Sequence, residues 1–378
     1  MNDFRLIHSS DLHLGKRFAR FPVEIGGRLT EARHAILGRI AQTARDAGAG
    51  HVLVAGDVFD TETPSPRVLS QALAAMADDS GINWWIIPGN HDSLAAEALW
   101  EGFCSSAPGN VHLLGDDAPV EIAPGAWLLP GPLPRRRPGV DLTEAMDHVA
   151  TPEGVLRIGL AHGPVTDFSE EGETGDAVIA PDRASRAGLD YLALGDWHGQ
   201  VRIGDRTWYS GTPEYTDFRH AGRGTCLAVT LTPGREPDVT PVETGQFHWE
   251  NADLALLPGV DPAISLDALL PTPRGARRDH LIKVIASGRA SLAEQAALAA
   301  AARSVEPEFG HFELVTDALA TEFDAADLDD IDRAGALRIA AERLSDRAAD
   351  DTQATESRRV AEAALNRLYS YLHEGDVA

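Results

Sequence analysis

Five short apolar runs constrain the fold of this chain more than any other feature of its 378 residues. They cover residues 4–7, 52–55, 84–87, 157–161 and 191–194, and each is bounded by polar residues or glycine. Such runs are typical of strands that are buried on both faces of a sheet. The segments 28–47 and 67–77 have the length and the Ala, Leu and Arg content of covering helices. Strands that alternate with helices predict an α/β layered domain.

Three further strand-like runs, at residues 127–129, 207–209 and 226–231, predict that the sheet continues into a second layer. We therefore expect an α/β fold in which a two-layer β-sandwich is flanked by helices. The Pro- and Gly-rich stretch 130–139 predicts a long surface loop.

The pattern changes after about residue 250. Strand-like runs at 281–286 and 312–315 enclose a helical stretch in which Ser291 and Glu294 form a capping box. This arrangement predicts a small α+β domain, followed by helices. We expect three parts: a main domain over 1–250, the small domain over 251–320 and a helical segment over 321–378.

The C-terminal segment has apolar residues at helical spacing in two stretches, 337–344 and 361–372. Each stripe either packs on the protein's own body or docks on a partner helix, and the spacing is compatible with both.

Polar residues of metal-ligand type follow every one of the five strand-like runs. They are Asp11 and His13, Asp57 and Asp60, Asn90, His91 and Asp92, His162, and Asp196 and His198. Because the carboxyl ends of strands lie along one edge of an open α/β sheet, we expect these loops to converge. Carboxylates packed together without cations repel one another strongly, and divalent metals remove that repulsion. One such motif is a weak signal, whereas five in order strongly indicate a metal site.

The ligand types indicate which metals suit the site. Carboxylate, amide and imidazole groups together suit Mn, Mg, Fe or Zn. The two cysteines, Cys104 and Cys226, have no metal-binding spacing, which argues against a structural zinc site. Two neighbouring ions of these kinds can polarise a phosphate ester and promote its hydrolysis.

Bulk composition limits the classes of protein to which the chain can belong. A hydrophobic fraction of 43% and a charged fraction of 24% are typical of a soluble globular protein. The N-terminal residues lack the basic start and apolar stretch of a signal peptide, so we expect a cytoplasmic protein without a membrane span. The net charge of −25 disfavours nucleic-acid binding, except at local basic groups within 16–20, 135–137 and 219–223.

The motifs resemble those of the calcineurin-like metallophosphoesterases and, more narrowly, those of the SbcD-like DNA repair nucleases. The resemblance covers most of the chain and is carried by residues 9–15, 56–61, 88–93 and 209–213. It implies that the main domain is catalytic, that the small domain caps it and that the C-terminal helices dock a coiled-coil ATPase. It also implies a homodimer and nuclease activity on DNA ends.

The resemblance further implies two divalent ions, with Mn as the first expectation. Asp11, His13 and His198 would hold one ion, and Asn90, His162 and Asp196 would hold the other, with Asp57 bridging. His91 would act as the acid that protonates the leaving oxygen. We expect Asp92 to orient the imidazole of His91.

One residue departs from the family pattern. These nucleases usually present His-x-His after the fifth strand, whereas this chain has Asp196-Trp197-His198. Aspartate is shorter than histidine and carries a charge, which leaves less attraction for a phosphodiester. We therefore expect weaker nuclease activity or a preference for harder cations such as Mn or Mg.

Two other functions stay open. The same metals could act on a small phosphodiester or phosphomonoester, which the acidic composition favours. Alternatively, the chain is a DNA-tethering or assembly subunit in which Asp196 has weakened the metal site.

Overall fold

A computed structural model describes residues 3–165, 178–257, 259–322 and 336–374, the last six by their backbone alone. The chain divides into two compact units, Met1–His248 and Trp249–Ala378. Among the described residues, we find no helix with the length and apolar character needed to cross a membrane.

The first unit contains twelve described strands. They are β1 (Phe4–Ser9), β2 (His51–Ala55), β3 (Asn83–Ile87), β4 (Val111–Leu113), β5 (Val120–Ala123), β6 (Ala126–Gly131), β7 (Leu156–His162), β8 (Tyr191–Gly195), β9 (Val201–Arg202), β10 (Thr207–Tyr209), β11 (Thr225–Leu231) and β12 (Asp238–Glu243). Its described helices are α1 (Val23–His34), α2 (Ile36–Ala47), α3 (Pro66–Ala77), α4 (Glu97–Ser106) and the short α5 (Arg183–Arg186), with a 3-10 helix at Leu142–Asp147.

The strands form two six-stranded sheets. The first has the order β12-β11-β1-β2-β3-β4, and the second has the order β5-β6-β7-β8-β10-β9. Alternate side chains of each strand point to opposite faces of its sheet, which explains why the runs are apolar throughout. In β2, for example, Leu53 packs between the two sheets, whereas Val52 and Val54 pack against the helices. The predicted two-layer sandwich flanked by helices is confirmed.

Three details differ from the predictions. The run at 226–231 does not join the second layer, because β11 pairs antiparallel with β1 and extends the first sheet. The helix predicted over 28–47 is two helices, separated at Ala35. The apolar spacing continues across that break, so the pattern does not reveal it. The loop predicted from residue 130 starts later, because Pro130 and Gly131 pair with β7.

The five strands that precede the polar motifs come from two sheets, and not from one edge as predicted. β1, β2 and β3 belong to the first sheet, while β7 and β8 belong to the second. A buried histidine links the two layers. His8 on β1 accepts a hydrogen bond from the Tyr191 hydroxyl (2.9 Å) and donates one to the Leu194 carbonyl (3.1 Å). Burial lowers the pKa of His8 to about 3, so the link is a neutral one.

The second unit is described by itself. Its strands β13 (His248–Leu256), β14 (His280–Ser291) and β15 (His311–Glu322) form a sheet in that order. Its helices are α6 (Pro262–Leu269), α7 (Leu292–Val305), α8 (Ala336–Ala349) and α9 (Thr355–Glu374), with 3-10 helices at Arg274–Asp279 and Glu306–Glu308. The predicted capping box of Ser291 and Glu294 is present at the start of α7.

The two apolar stripes of the C-terminal helices pack partly against α7 of the same unit. Ala341 of α8 and Leu365 of α9 are fully buried and form one apolar cluster with Leu292 of α7. Leu337 of the first stripe stays exposed at 43%, and so does Val360, the residue before the second stripe, at 64%. The side chain of Leu372, the last residue of the second stripe, lies outside the described residues.

We predict that the contribution of the helix-facing core can be measured with one substitution made at two sites. Val52→Ala removes two methyl groups from a fully buried side chain, whereas Val23 is 94% exposed. We expect Val52→Ala to lower the free energy of unfolding by about 2 kcal/mol. Val23→Ala should change it by less than about 0.5 kcal/mol. Urea unfolding measures both, and equal effects would contradict the placement of β2 in the core.

Candidate metal centre

The loops after β1 and β2 run side by side and set the base of the site. The backbone N–H of Asp11 donates to the Gly56 carbonyl (3.1 Å), and that of His13 donates to the Asp57 carbonyl (2.9 Å). The Asp60 N–H in turn donates to the carbonyl of Leu14 (3.1 Å). This ladder brings the side chains of Asp11, His13 and Asp57 together, all of them at most 2% exposed.

Backbone strain is concentrated at these residues. Among the described residues, the non-glycine positions with positive φ are Asp11 (54°), His13 (43°), Asp57 (54°) and Asp196 (107°). Each such conformation costs on the order of 1–3 kcal/mol and persists only where the surrounding structure enforces it. All four lie among the predicted metal ligands, so the fold holds these side chains at an energetic cost.

At two positions of the motifs, neighbouring side chains come so close to the backbone that only glycine fits. A Cβ atom at Gly56 would lie 2.3 Å from Nδ1 of His162, and one at Gly89 would lie 2.1 Å from Oδ1 of Asp57. Both separations are far below contact distance. Glycine is therefore the residue that allows the loops to converge.

The first group of side chains contains Asp11, His13 and His198, whose ligand atoms all lie within 4.8 Å of one another. The Nε2 atoms of His13 and His198 are 3.1 Å apart. The second group contains Asp11, Asp57 and His162 at the same mutual separation.

Asp57 lies between the groups. Its Oδ2 is 3.7 Å from Nε2 of His13, and its Oδ1 is 3.7 Å from Nε2 of His162. Asn90 and Asp196 adjoin the second group, because Asn90 Oδ1 is 3.3 Å and Asp196 Oδ1 is 3.9 Å from Nε2 of His162. The structure therefore brings together the seven residues that the sequence suggested as ligands.

The tautomer of His162 tests whether a cation fits here. Its Nδ1 lies 2.8 Å from the Ala55 carbonyl, which can only accept a hydrogen bond, so Nδ1 donates. In the neutral ring, Nε2 then presents a lone pair to the carbonyl oxygen of Asn90 and the carboxylate of Asp57. Acceptors that face acceptors in a buried site are unfavourable unless a positive charge lies between them. This donor set fits a divalent metal ion.

Burial strongly affects the ionisation of these groups. It raises the pKa of Asp11 to about 7, an effect that His162 opposes and Asp57 reinforces. It likewise raises the pKa of Asp92 to about 7, again with Asp57 adding to the shift. Burial lowers the pKa of His13 well below its usual value, so its ring is neutral and able to act as a ligand. A bound dication would favour the charged carboxylates.

The hydrogen bonds of His91 and Asp92 show how each residue is held beside the site. The Nδ1 atom of His91 lies 3.0 Å from the backbone carbonyl of Asp60, and the backbone N–H of His91 donates to Asp57 Oδ1 (2.9 Å). The carboxylate of Asp92 accepts the N–H groups of Phe59 (2.9 Å) and Gly89 (2.7 Å). Asp92 therefore connects the second and third loops. The group that lies beside the His91 imidazole, where Asp92 was expected, is the backbone carbonyl of Asp60.

One important residue was missed by the sequence reasoning. Arg33 of α1 is 1% exposed, and its guanidinium donates to the carbonyls of Leu12 and Glu214. It fixes the backbone between Asp11 and His13 and places a positive charge near both Asp11 and Asp60. The signal was its position on the apolar stripe of the helix, beside Leu29 and Ile36, where a solvated arginine is not expected.

The comparisons with known proteins agree with this geometry. Residues 4–200 match the family model described as calcineurin-like phosphoesterase, which is 197 of the 378 residues. The chain is 24% identical over 276 residues to a subunit of the nuclease SbcCD from Escherichia coli K12. That alignment covers 61% of this chain and 66% of the relative, which is just under two thirds of its length.

Among solved structures, the protein TT1561 of Thermus thermophilus is 9% identical, with a TM-score of 0.41 over 63% of this chain and 99% of that one. The purple acid phosphatase PPD1 of yellow lupin is 12% identical, with a TM-score of 0.42 over 64% of this chain and 52% of that one. Scores of this size carry no weight for the assignment, which rests on the family match. That match covers more than half of the chain and contains all seven of the converging candidate ligands, and the chain therefore belongs to the calcineurin-like phosphoesterase family.

Proposed function

We propose that this protein is a two-metal phosphodiesterase that acts on DNA ends in DNA repair. The observation that supports the proposal most directly is the position of Asp57, whose two carboxylate oxygens each lie 3.7 Å from a histidine nitrogen of a different group. A carboxylate in that position can bridge two ions.

We assign one ion to Asp11, His13 and His198, and the other to Asn90, His162 and Asp196, with Asp57 shared. Carboxylate, amide and imidazole ligands support Mn as the resident metal, with Mg, Fe or Zn as alternatives. Short distances between the side chains support this division. The Nε2 atoms of His13 and His198 are 3.1 Å apart, and Asn90 Oδ1 is 3.3 Å from Nε2 of His162.

The chemistry can be divided between the metals and the chain. When bound, the ions polarise the phosphate and favour attack by water near neutral pH. The chain supplies His91, whose Nδ1 is held by the Asp60 carbonyl and whose backbone N–H is held by Asp57. In its cationic form, this ring can deliver the Nε2 proton to the leaving oxygen. Asp92 keeps the loop that carries Asn90 and His91 against the loop of Asp57.

Local basic residues support DNA as the substrate, although the chain as a whole carries a net charge of −25. Arg135, Arg136 and Arg137 are exposed and directly follow a segment that pairs with the third loop, where the Leu94 N–H donates to the Leu133 carbonyl (2.9 Å). Arg17 and Arg20 are exposed just beyond the first loop. Positive charges at these places can bind phosphates close to the metals. Arg223 does not contribute, because its guanidinium donates to the carbonyls of Gly245 and Gln246.

The net charge favours a second candidate, hydrolysis of a small phosphodiester or phosphomonoester, which needs no extended basic surface. A third candidate, a DNA-tethering subunit, requires the metal site to be feeble. The close convergence of ligands and acid supports the enzymatic candidates over that one.

We also propose an ATPase partner and a homodimer. The E. coli relative is named as a subunit of the nuclease SbcCD, which supports an assembly. The exposed Leu337 of α8 and Val360 of α9 support docking of a coiled-coil ATPase on the C-terminal helices, beside the part of each stripe that α7 already covers.

A paired assay tests the proposed substrate. The purified chain, alone and with a candidate ATPase partner, would be given linear duplex DNA and a chromogenic phosphodiester in Mn²⁺ and in Mg²⁺. We expect metal-dependent degradation of the DNA that stops with EDTA. Hydrolysis of the chromogenic ester without any loss of DNA would favour the small-substrate candidate.

Replacing the proposed acid tests the role of His91. We expect His91→Ala to lower kcat by about 10²- to 10⁴-fold while Mn²⁺ binding, measured by calorimetry, is retained. The loss should be much smaller for a substrate with a p-nitrophenolate leaving group, which departs without a proton. If the His91→Ala variant binds DNA and its turnover is unchanged, His91 has only a structural role.

Replacing Asp196 tests the effect of the extra carboxylate. Asp196→His removes one negative charge beside the second ion, so we expect about a 10-fold higher kcat/KM for a phosphodiester in Mn²⁺. We also expect the preference to move away from Mg²⁺, because imidazole suits softer ions. An unchanged rate together with an unchanged order of metals would contradict this interpretation of Asp196.

A further inference from the structure

We propose that Asp60 is a positioning residue that prepares both His13 and His91 for their tasks. Its side chain sets the tautomer of His13, and its backbone carbonyl orients His91. The inference rests on the proposed two-metal function and adds a residue that takes part neither as a ligand nor as the acid.

The contacts of Asp60 lie on the side of His13 that faces away from the metals. Asp60 Oδ1 is 3.3 Å from Nδ1 of His13 and 3.1 Å from Nζ of Lys16. The His13 side chain is 1% exposed, and the Asp60 side chain is 19% exposed. The opposite ring nitrogen, Nε2, points to His198 and Asp57.

A negative carboxylate beside Nδ1 disfavours a lone pair on that nitrogen and favours its N–H form. The neutral ring then has its lone pair on Nε2, where the metal would be bound. The contact is longer and less directional than a strong hydrogen bond, so the carboxylate acts mainly through its charge. Lys16 holds that carboxylate in place from the solvent side.

These side chains also permit a rival interpretation. The ligand atoms of His13, Asp60 and His91 lie within 4.8 Å of one another, a spacing that could suit a metal of its own. The Lys16 ammonium already contacts the carboxylate that such an ion would need, and it would repel a dication. A neutral His13 has only one lone pair, and the first proposed metal uses it. We therefore assign Asp60 to positioning.

The second effect of Asp60 comes from its backbone. The carbonyl lies 3.0 Å from Nδ1 of His91 and accepts its N–H, so a proton given to the leaving group would come from Nε2 of that ring. A side-chain substitution leaves this carbonyl in place. The effect on His13 can therefore be separated from the effect on His91.

The test is a calorimetric Mn²⁺ titration of the full chain carrying Asp60→Ala or Asp60→Asn. We expect Asp60→Ala to weaken one of the two sites by about 10- to 100-fold and to leave the other unchanged. Asp60→Asn should weaken the same site by a similar factor, because it keeps the shape of the side chain but removes the negative charge that acts on Nδ1. At saturating Mn²⁺, kcat should return to within about threefold of the original value, since the carbonyl that orients His91 is retained.

Asp205→Ala is the matched control, because the Asp205 side chain is 74% exposed and pairs with Arg202 on the surface. It should leave both metal affinities unchanged. If Asp60→Asn and Asp60→Ala bind Mn²⁺ as tightly as the original chain, or if both sites weaken equally, Asp60 has no selective effect on His13 and the inference is overturned. Absence of Mn²⁺ binding by the unaltered chain would instead refute the proposed function itself.

Discussion

The constraint on which this structure depends is the gathering of several hydrogen-bond acceptors around the Nε2 atom of His162. With Nδ1 of His162 donating to Ala55, its Nε2 faces the oxygens of Asn90, Asp57 and Asp196 at 3.3–3.9 Å. Facing acceptors in a buried site carry a large desolvation and repulsion cost. Divalent cations bound there would offset that cost and would also supply the means to hydrolyse a phosphate ester. Stability and chemistry would then both depend on metal binding.

The fold holds these groups at a cost that packing must offset. Four of the proposed ligands lie at positive φ, and Arg33 is buried beneath the first loop. Each is unfavourable alone and is tolerated because apolar packing on both faces of the first sheet fixes the strands from which the loops leave. His8 and Tyr191 connect that sheet to the second one, so the two loops that follow β7 and β8 keep their register with the other three. This neutral link matters because two of the five motifs come from the second sheet.

Much of the fold could be predicted from the sequence, since each of the five apolar runs is a strand and the polar residues that follow converge. Strand pairing could not be predicted, because the alternation of apolar and polar residues in β11 suits either sheet. Only the antiparallel pairing of β11 with β1 places it in the first sheet. The break between α1 and α2 was hidden by an apolar stripe that continues across it. At the site, residue type and position identified the side chains that converge, but not the partners that orient them. Asp92 and Asp60 both follow strands, and their tasks depend on which backbone groups each one meets.

The central claim is that two cations lie where these loops meet, and anomalous diffraction from crystals grown with Mn²⁺ tests it most directly. We expect two anomalous peaks per chain, one beside His13 and His198 and one beside Asn90 and His162, with Asp57 between them. A single peak, or peaks remote from Asp57, would contradict that claim.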